Sequence, residues 1–407
     1  MYLTREEERI LNGEYGETRA LALRVIVKVG EAFNADSLID IVHAHISGVS
    51  YFNIGDHGLK FIEDLALKGA KSLVFTTANP YAAIYATYLS NDNRFSDDII
   101  EKQLRIIKAL KNIGAKAFTC APYYIRKPGR GEHLAWAESN AVLYANSVCG
   151  AKTNREGGPL ALLEAIAGKT YNSGMHKEEN RVPQLLINVP SMKGYTSLAV
   201  LGYLIGKASR SQIPYVRGIK DVNDSEIRAF LAAFGTSSGA PMVIIEGITP
   251  NYKQLLAKAD NLQQITISRS EIEEFIIEGK MYRKGGRGLY ILGCPHLTIK
   301  ELIEVIEYLN KRTKAVSGIS RSSELWLITH SGFLAEINEL KKFIKLNNVK
   351  ILTDICPVVT RLDLLGVDYV VTNSVKGYVY ISKMNNVQTY LMGTFELLND
   401  FLESVNA

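Results

Sequence analysis

The sequence predicts an α/β protein built on parallel sheets. In the last third, GLYILGC, ELWLITHS, VKILTDIC and VDYVVTNS are four short apolar strands, and the helical patterns TIKELIEVIEYLNKR and LAEINELKKFIKL separate the first three. Strands alternating with helices imply parallel pairing, because a parallel connection needs a helix-length crossover. The strand ends are polar or thiol: Cys294, Thr329-His330-Ser331, Cys356 and Thr372-Asn373-Ser374. In such sheets ligands bind beyond the carboxyl ends of the strands, so these residues mark a site. The same form occurs upstream. SLVFTTANPYAAIYATYL (72–89) and AKAFTCAPYY (115–124) each run a short strand into a polar turn closed by Pro.

From the N-terminus, Thr4 followed by Arg5-Glu6-Glu7 makes a capping box for a first helix. A helix from about Gly16 to Phe33 follows, with Ala, Leu and Val on its inner positions. Residues 36–48 read as a strand entering AHISGVSYFNIGDHG, which is dense in Gly, Ser and His. HLAWAESNAVLYANSV (133–148) has helical spacing, and Gly150 is a stop signal. The loop KTNREGG (152–158) leads into a helix through Ala167. Between about 185 and 285, helical patterns alternate with the strands LLINVP, PYVRGI and MVIIEGITP. The expected division is an N-terminal α/β region over 1–185, a middle α/β domain over 186–285 and a C-terminal parallel α/β domain over 286–407.

Composition narrows the function. The chain has 407 residues, 47% hydrophobic and 22% charged, enough for two or three domains with sizeable cores. The formal charge of +5 is spread along the chain without a basic tail, which suits small anionic ligands and argues against nucleic acid. No leader pattern is visible and no apolar run approaches the ~20 residues of a membrane span, so a cytoplasmic location is expected. Four cysteines, at 120, 149, 294 and 356, do not form a disulfide framework in a chain of this size.

Three of these cysteines share a setting. Cys120, Cys294 and Cys356 each end a short apolar strand, with Pro at the next residue or the one after. Cys149 ends a helix before Gly150, where it reads as a small buried hydrophobe. Thiolates suit zinc and iron–sulfur clusters. Zinc sites usually show close cysteine pairs, and there is no C-x-x-C here. Three thiolates on a four-iron cluster would leave one iron open to act as a Lewis acid on a hydroxyl.

AHISGVSYFNIGDHGLKF (44–61), FTTANP (75–80), FTCAPY (118–123), GEHLAWAESNAVLYANSVCGAKTNREGGP (131–159), GMHKEENR (174–181), GITPNY (247–252), LGCPH (292–296) and TDICPVV (353–359) resemble the aconitase X family. The similarity runs from the N-terminus to about residue 390, and the 131–159 block is highly specific. It implies an aconitase-like fold, with three α/β domains around an Fe–S cluster and a fourth, swivelling domain. Some members carry that domain fused. Here it is expected on a separate small subunit that also brings a serine base. The resemblance carries the cluster ligands onto Cys120, Cys294 and Cys356. The implied cofactor is a [4Fe-4S] cluster with one iron lacking a cysteine, which air can oxidise to [3Fe-4S] with loss of that iron, or strip entirely.

The implied activity is that of a hydro-lyase in an archaeal-type mevalonate pathway, dehydrating the phosphorylated hydroxy acid (R)-5-phosphomevalonate to trans-anhydromevalonate 5-phosphate. Rival readings are a cis-3-hydroxy-L-proline dehydratase of the same family and a non-catalytic cluster or nucleic-acid binding protein. The expected substrate contacts are the small-residue loop Ser47-Gly48-Val49-Ser50, the turn Asn79-Pro80, Glu138 and Ser139 in an apolar helix, and Asn146 and Ser147 two turns on. Arg155, able to grip an anion bidentately, and Lys376 complete the set. Glu138 and Arg155 are also expected to be catalytic. Lys376 is the first candidate for the charged contact to the phosphate, and the basic segment Arg283-Lys284-Gly285-Gly286-Arg287 is either a second one or a domain joint. His43 and His45 are expected on opposite faces of a strand, and no histidine is taken as an iron ligand.

Overall fold

The computed structural model describes residues 1–83, 95–280, 286–312 and 323–406. Arg283, Lys284 and Gly285, and the end of the 72–89 segment, lie outside them. The capping box forms as expected: the Glu7 N–H donates to Thr4 Oγ1 at 3.2 Å and the Thr4 N–H to Glu7 Oε2 at 2.8 Å. The first region holds β1 (Leu38–Asp40), β2 (His43–Ile46), β3 (Phe75–Ala78), β4 (Ala115–Phe118), β5 (Leu134–Trp136) and β6 (Lys169–Tyr171). The second holds β7 (Leu185–Asn188), β8 (Pro214–Arg217), β9 (Ile244–Ile245) and β10 (Gln263–Thr266). The third holds β11 (Gly288–Leu292), β12 (Glu324–Thr329), β13 (Val349–Thr353), β14 (Tyr369–Thr372) and β15 (Gln388–Leu391).

Three all-parallel sheets result, ordered β4-β3-β2-β5, β10-β7-β8-β9 and β13-β12-β11-β14-β15, while β1 and β6 pair antiparallel. Every residue of β11 and β14 is buried, the signature of a parallel sheet covered on both faces. The sequence expectations need three corrections. Residues 36–48 form two strands, β1 and β2. Residues 133–148 are not one helix: β5 comes first, then the helix Ser139–Tyr144, then a π-turn over Ala145–Cys149. Nearly every side chain from Leu134 to Ser147 is buried, and a wholly buried run hides the difference between strand and helix periods. Strands β6, β10 and β15 were not anticipated, and β10 has a polar sequence, QQIT.

Two sheets reverse their strand order where their carboxyl ends meet. In the third sheet β12 and β13 lie on one side of β11, and β14 and β15 on the other. In the first, β3 and β4 lie on one side of β2, and β5 on the other. Crevices open at such switch points. The two edges are tied together: the Tyr81 N–H donates to the Asp354 carbonyl at 3.1 Å, and the Cys356 N–H to the Tyr81 carbonyl at 2.8 Å.

Candidate active site

The site is built from strand ends. Asn79 follows β3, Cys120 follows β4, Glu138 follows β5, Cys294 follows β11 and Cys356 follows β13. Lys376 sits in the first turn of the helix Val375–Met384, after β14. These six, with Pro80, Asn140 and His296, help line one pocket of about 100 Å³. A larger cleft, about 730 Å³, lies between helix starts near Tyr195, Asp224, Thr298 and Thr394 and shares no lining residue with it. The chemistry sits in the smaller one.

The three thiols converge from three different strands. Burial, then the neighbouring Cys294, raises the Cys120 pKa, and burial with Cys294 pushes Cys356 up to about 12. Burial also raises Cys294, against the charge of Lys376. Three free thiols, Cys294 buried and Cys120 and Cys356 partly so, line one pocket, a donor set that could take a metal group as thiolates. Among the described residues no three Cys, His, Asp or Glu side chains close to the spacing of a single-ion site. The His296 ring is committed elsewhere, to Thr119 Oγ1 at 3.1 Å and the Ile355 carbonyl at 2.9 Å, and the His296 backbone N–H donates to Cys120 Sγ at 3.3 Å.

Opposite the thiols lies an ion pair. Lys376 Nζ donates to Glu138 Oε1 at 2.5 Å, and the two side chains are only 14% and 11% exposed. Burial works against ionising Glu138. Lys376, the Asn140 N–H and the Asn79 amide overcome it and hold the carboxyl at about 2. Burial likewise opposes the charge on Lys376, and Glu138 restores it, so its pKa is raised. At neutral pH the pocket therefore carries a fixed carboxylate and a fixed ammonium. Ser139 joins them, its Oγ 3.4 Å from both Lys376 Nζ and Glu138 Oε1.

The loop Ser47–Ser50 precedes the helix Tyr51–Leu67 and is not part of the pocket lining, which it touches through Ser50. Ser50 Oγ donates to the carbonyl of Val359, itself a pocket residue, at 3.2 Å. Gly48 is exposed with φ 68, a left-handed conformation that Gly adopts without strain. A Cβ at Gly158 would run into the Ser47 carbonyl, so that glycine lets the next helix approach the loop.

Not every expected residue reaches the pocket. Asn146 is fully buried with its hydrogen bonds spent: its amide donates to the Thr153 and Pro241 carbonyls, and its oxygen accepts from the Thr153 N–H and Arg181. Ser147 Oγ accepts from the Val243 N–H at 3.0 Å. Arg155 donates to the carbonyls of Ser238 at 2.8 Å and Gly235 at 3.1 Å, closing the end of the helix Asp224–Ser237. All three side chains bond to residues outside the pocket lining, most of them in the second region. Cys149 packs at the edge of that second core. His43 and His45 were expected on opposite faces, but residues two apart on a strand share a face, and both reach Thr77. Asn140, next to Glu138 and Ser139 in the same polar run, lines the pocket, while sequence reasoning missed His45 and Thr77, which stand behind it. The HAHI and FTTANP repeats, read as adjacent strands with period two, could have pointed to the last two.

A buried acidic pair lies beneath the Ser47 loop. Glu156 and Glu164 are 7% and 0% exposed, and each has one carboxylate oxygen without a partner among the described residues. Burial pushes Glu156 up to about 7, and burial with the Glu156 charge raises Glu164 further. Raised carboxyl values favour folding most below the unfolded value, and that benefit is lost as pH rises through the folded values. The protein is therefore expected to lose stability between about pH 4.5 and 7, and beyond, by roughly 2–4 kcal/mol. Glu164→Gln should flatten that slope in urea unfolding at pH 5.5 and 8. An unchanged slope would refute the pair as its source.

The aconitase X first, second and third domains match residues 1–179, 183–276 and 288–402 in that order. The chain belongs to the aconitase X family. The phosphomevalonate dehydratase large subunit of Aeropyrum pernix is 39% identical over 94% of this chain and 96% of its own length. The crystal structure of Thermococcus kodakaraensis aconitase X in its holo-form superposes with a TM-score of 0.88 at 34% identity, covering 98% of this chain and 100% of that one. The cis-3-hydroxy-L-proline dehydratase of Hypocrea jecorina is 31% identical over 87% of this chain and 60% of its own length. The expected three-sheet aconitase X architecture is therefore present. Among the described residues no helix is long and apolar enough to cross a membrane.

Proposed function

We propose that this chain is the large, cluster-binding subunit of a hydro-lyase that dehydrates (R)-5-phosphomevalonate to trans-anhydromevalonate 5-phosphate. The observation that carries it is the joining of three convergent thiols to a buried Glu138–Lys376 pair in one pocket. The higher identity to an enzyme named for phosphomevalonate favours that substrate over hydroxyproline.

The reaction removes a tertiary hydroxyl and a weakly acidic proton beside a carboxylate. Cys120, Cys294 and Cys356 would hold a [4Fe-4S] cluster whose remaining iron, when bound, supplies a Lewis acid for the substrate's hydroxyl and carboxylate oxygens. The Lys376 ammonium offers a positive charge to the incoming carboxylate. Glu138 stays ionised, so it accepts a hydrogen bond from the substrate rather than donating one. Asn79 and Pro80 shape the wall. The Ser47–Ser50 loop offers backbone N–H groups to the phosphate, whereas at the helix start behind it the Tyr51 N–H already donates to Gln103 Oε1 at 2.8 Å. Glu138 is already paired with Lys376, and we assign the proton to a serine on a swivelling small subunit, as the resemblance to the aconitase fold implies. The large chain alone is then inactive.

The test is an anaerobic assay of this chain, with and without the small subunit, on both substrates. Water loss from phosphomevalonate only when the small subunit is present is expected. Turnover of cis-3-hydroxy-L-proline instead would replace the substrate reading.

A further inference from the structure

We infer that His45 is a positioning residue for this site: through Asn79 it decides that an N–H, and not a carbonyl oxygen, faces Glu138. The inference rests on the proposed role of Glu138, but its geometry stands apart from it.

A chain of buried hydrogen bonds runs from the pocket into the first sheet. Asn79 Nδ2 donates to Glu138 Oε2 at 3.3 Å. Asn79 Oδ1 meets His45 Nε2 at 2.9 Å. His45 Nδ1 lies 2.7 Å from Thr77 Oγ1, and Thr77 Oγ1 lies 3.0 Å from His43 Nε2. The register explains the meeting: β2 and β3 pair in parallel with His45 opposite Thr77.

Each proton in this chain has one position. Asn79 Oδ1 only accepts, so His45 Nε2 carries the hydrogen. Burial keeps His45 neutral, with its pKa near 4, so Nδ1 is bare and accepts from the Thr77 hydroxyl. The Thr77 oxygen then accepts from His43 Nε2–H. That leaves His43 Nδ1 as a bare acceptor, and it is the His43 atom with no partner among the described residues. A lone acceptor is the less costly atom to leave unpaired, since buried orphan N–H groups are rare. The assignment thus closes at both ends.

The consequence falls on Glu138. A flipped Asn79 amide would set two acceptor oxygens against each other, and would also turn its NH2 toward the His45 N–H. His45 forbids that state. With Asn79 fixed as donor, Oε2 of Glu138 is held on one side while Lys376 holds Oε1 on the other. The carboxylate plane is therefore set from the sheet interior, by a residue that touches neither thiol nor pocket.

The test uses the cluster-loaded large subunit with its small subunit. In protein labelled with 15N at histidine, the His45 imidazole, identified by its loss in His45→Gln, is expected as a neutral Nε2–H tautomer. His45→Gln can donate to Asn79 and accept from Thr77, and should lose less than about fivefold in kcat/KM. His45→Leu can do neither, and should lose roughly 10- to 100-fold, mainly in kcat, with iron content and melting temperature matching the Gln variant. An Nδ1–H tautomer, or equal activity of the Leu and Gln variants, overturns the inference. The tautomer is read on wild-type protein, so a Leu variant that fails to fold does not shield it. Wild type with the Nε2–H tautomer but no phosphomevalonate turnover would sink the substrate reading while upholding the hydrogen-bond direction.

Discussion

Cys294→Ser is expected to strip iron and acid-labile sulfide from protein purified without oxygen, and with them all dehydratase activity, while Cys149→Ser leaves both in place. Wild type should hold about four of each per chain, as a cubane cluster requires. Cys294 is 8% exposed at the end of the central strand of its sheet, and it neighbours both Cys120 and Cys356 electrostatically. A serine oxygen is a poor replacement for a soft sulfur ligand, and two remaining thiols cannot hold the cluster against water. Cys149 makes a sharp control because it packs in another core. Iron without sulfide, or zinc in its place, in wild-type protein would mean a different metal site and a different mechanism.

Lys376→Met should be nearly as damaging, for a different reason. It leaves the Glu138 carboxylate buried without its main counter-charge, a situation that costs roughly 3–5 kcal/mol. It also removes the ammonium offered to the substrate carboxylate, so a fall in kcat/KM of about 100- to 1000-fold is expected. Glu138→Gln added to Lys376→Met removes the stranded charge. The double variant should regain most of the lost stability, read as the urea midpoint, but none of the activity. If the double variant is no more stable than Lys376→Met, the two groups are not coupled as their 2.5 Å contact indicates.

The parts of the site differ in how plainly they were written in the chain. The three cysteines could be picked out because a thiol at the end of an apolar strand, next to proline, breaks a simple pattern. Glu138 and Ser139 stood out as polar residues inside an apolar run. Lys376 was noticed only as a charge after a strand, with no hint that its partner lies 238 residues earlier. Asn146, Ser147 and Arg155 looked equivalent to Glu138 because they share its segment, yet their side chains bond to Pro241, Val243, Ser238 and Gly235 of the second region. His45 was expected only to face away from His43, with no role in the site. Its partners, Thr77 and Asn79, are 32 and 34 residues away and meet it only through β2–β3 register.

By itself, then, the sequence determined the α/β class, the strand-end location of the site and the identity of its thiols, because these follow from local alternation and from single residues that violate it. The tertiary structure decided which switch points face each other, which carboxylate is paired with which ammonium, and which way the Asn79 amide points. Those outcomes depend on long-range register and on burial, and burial alone turns an ordinary glutamate, lysine or histidine into one whose charge and proton position are set.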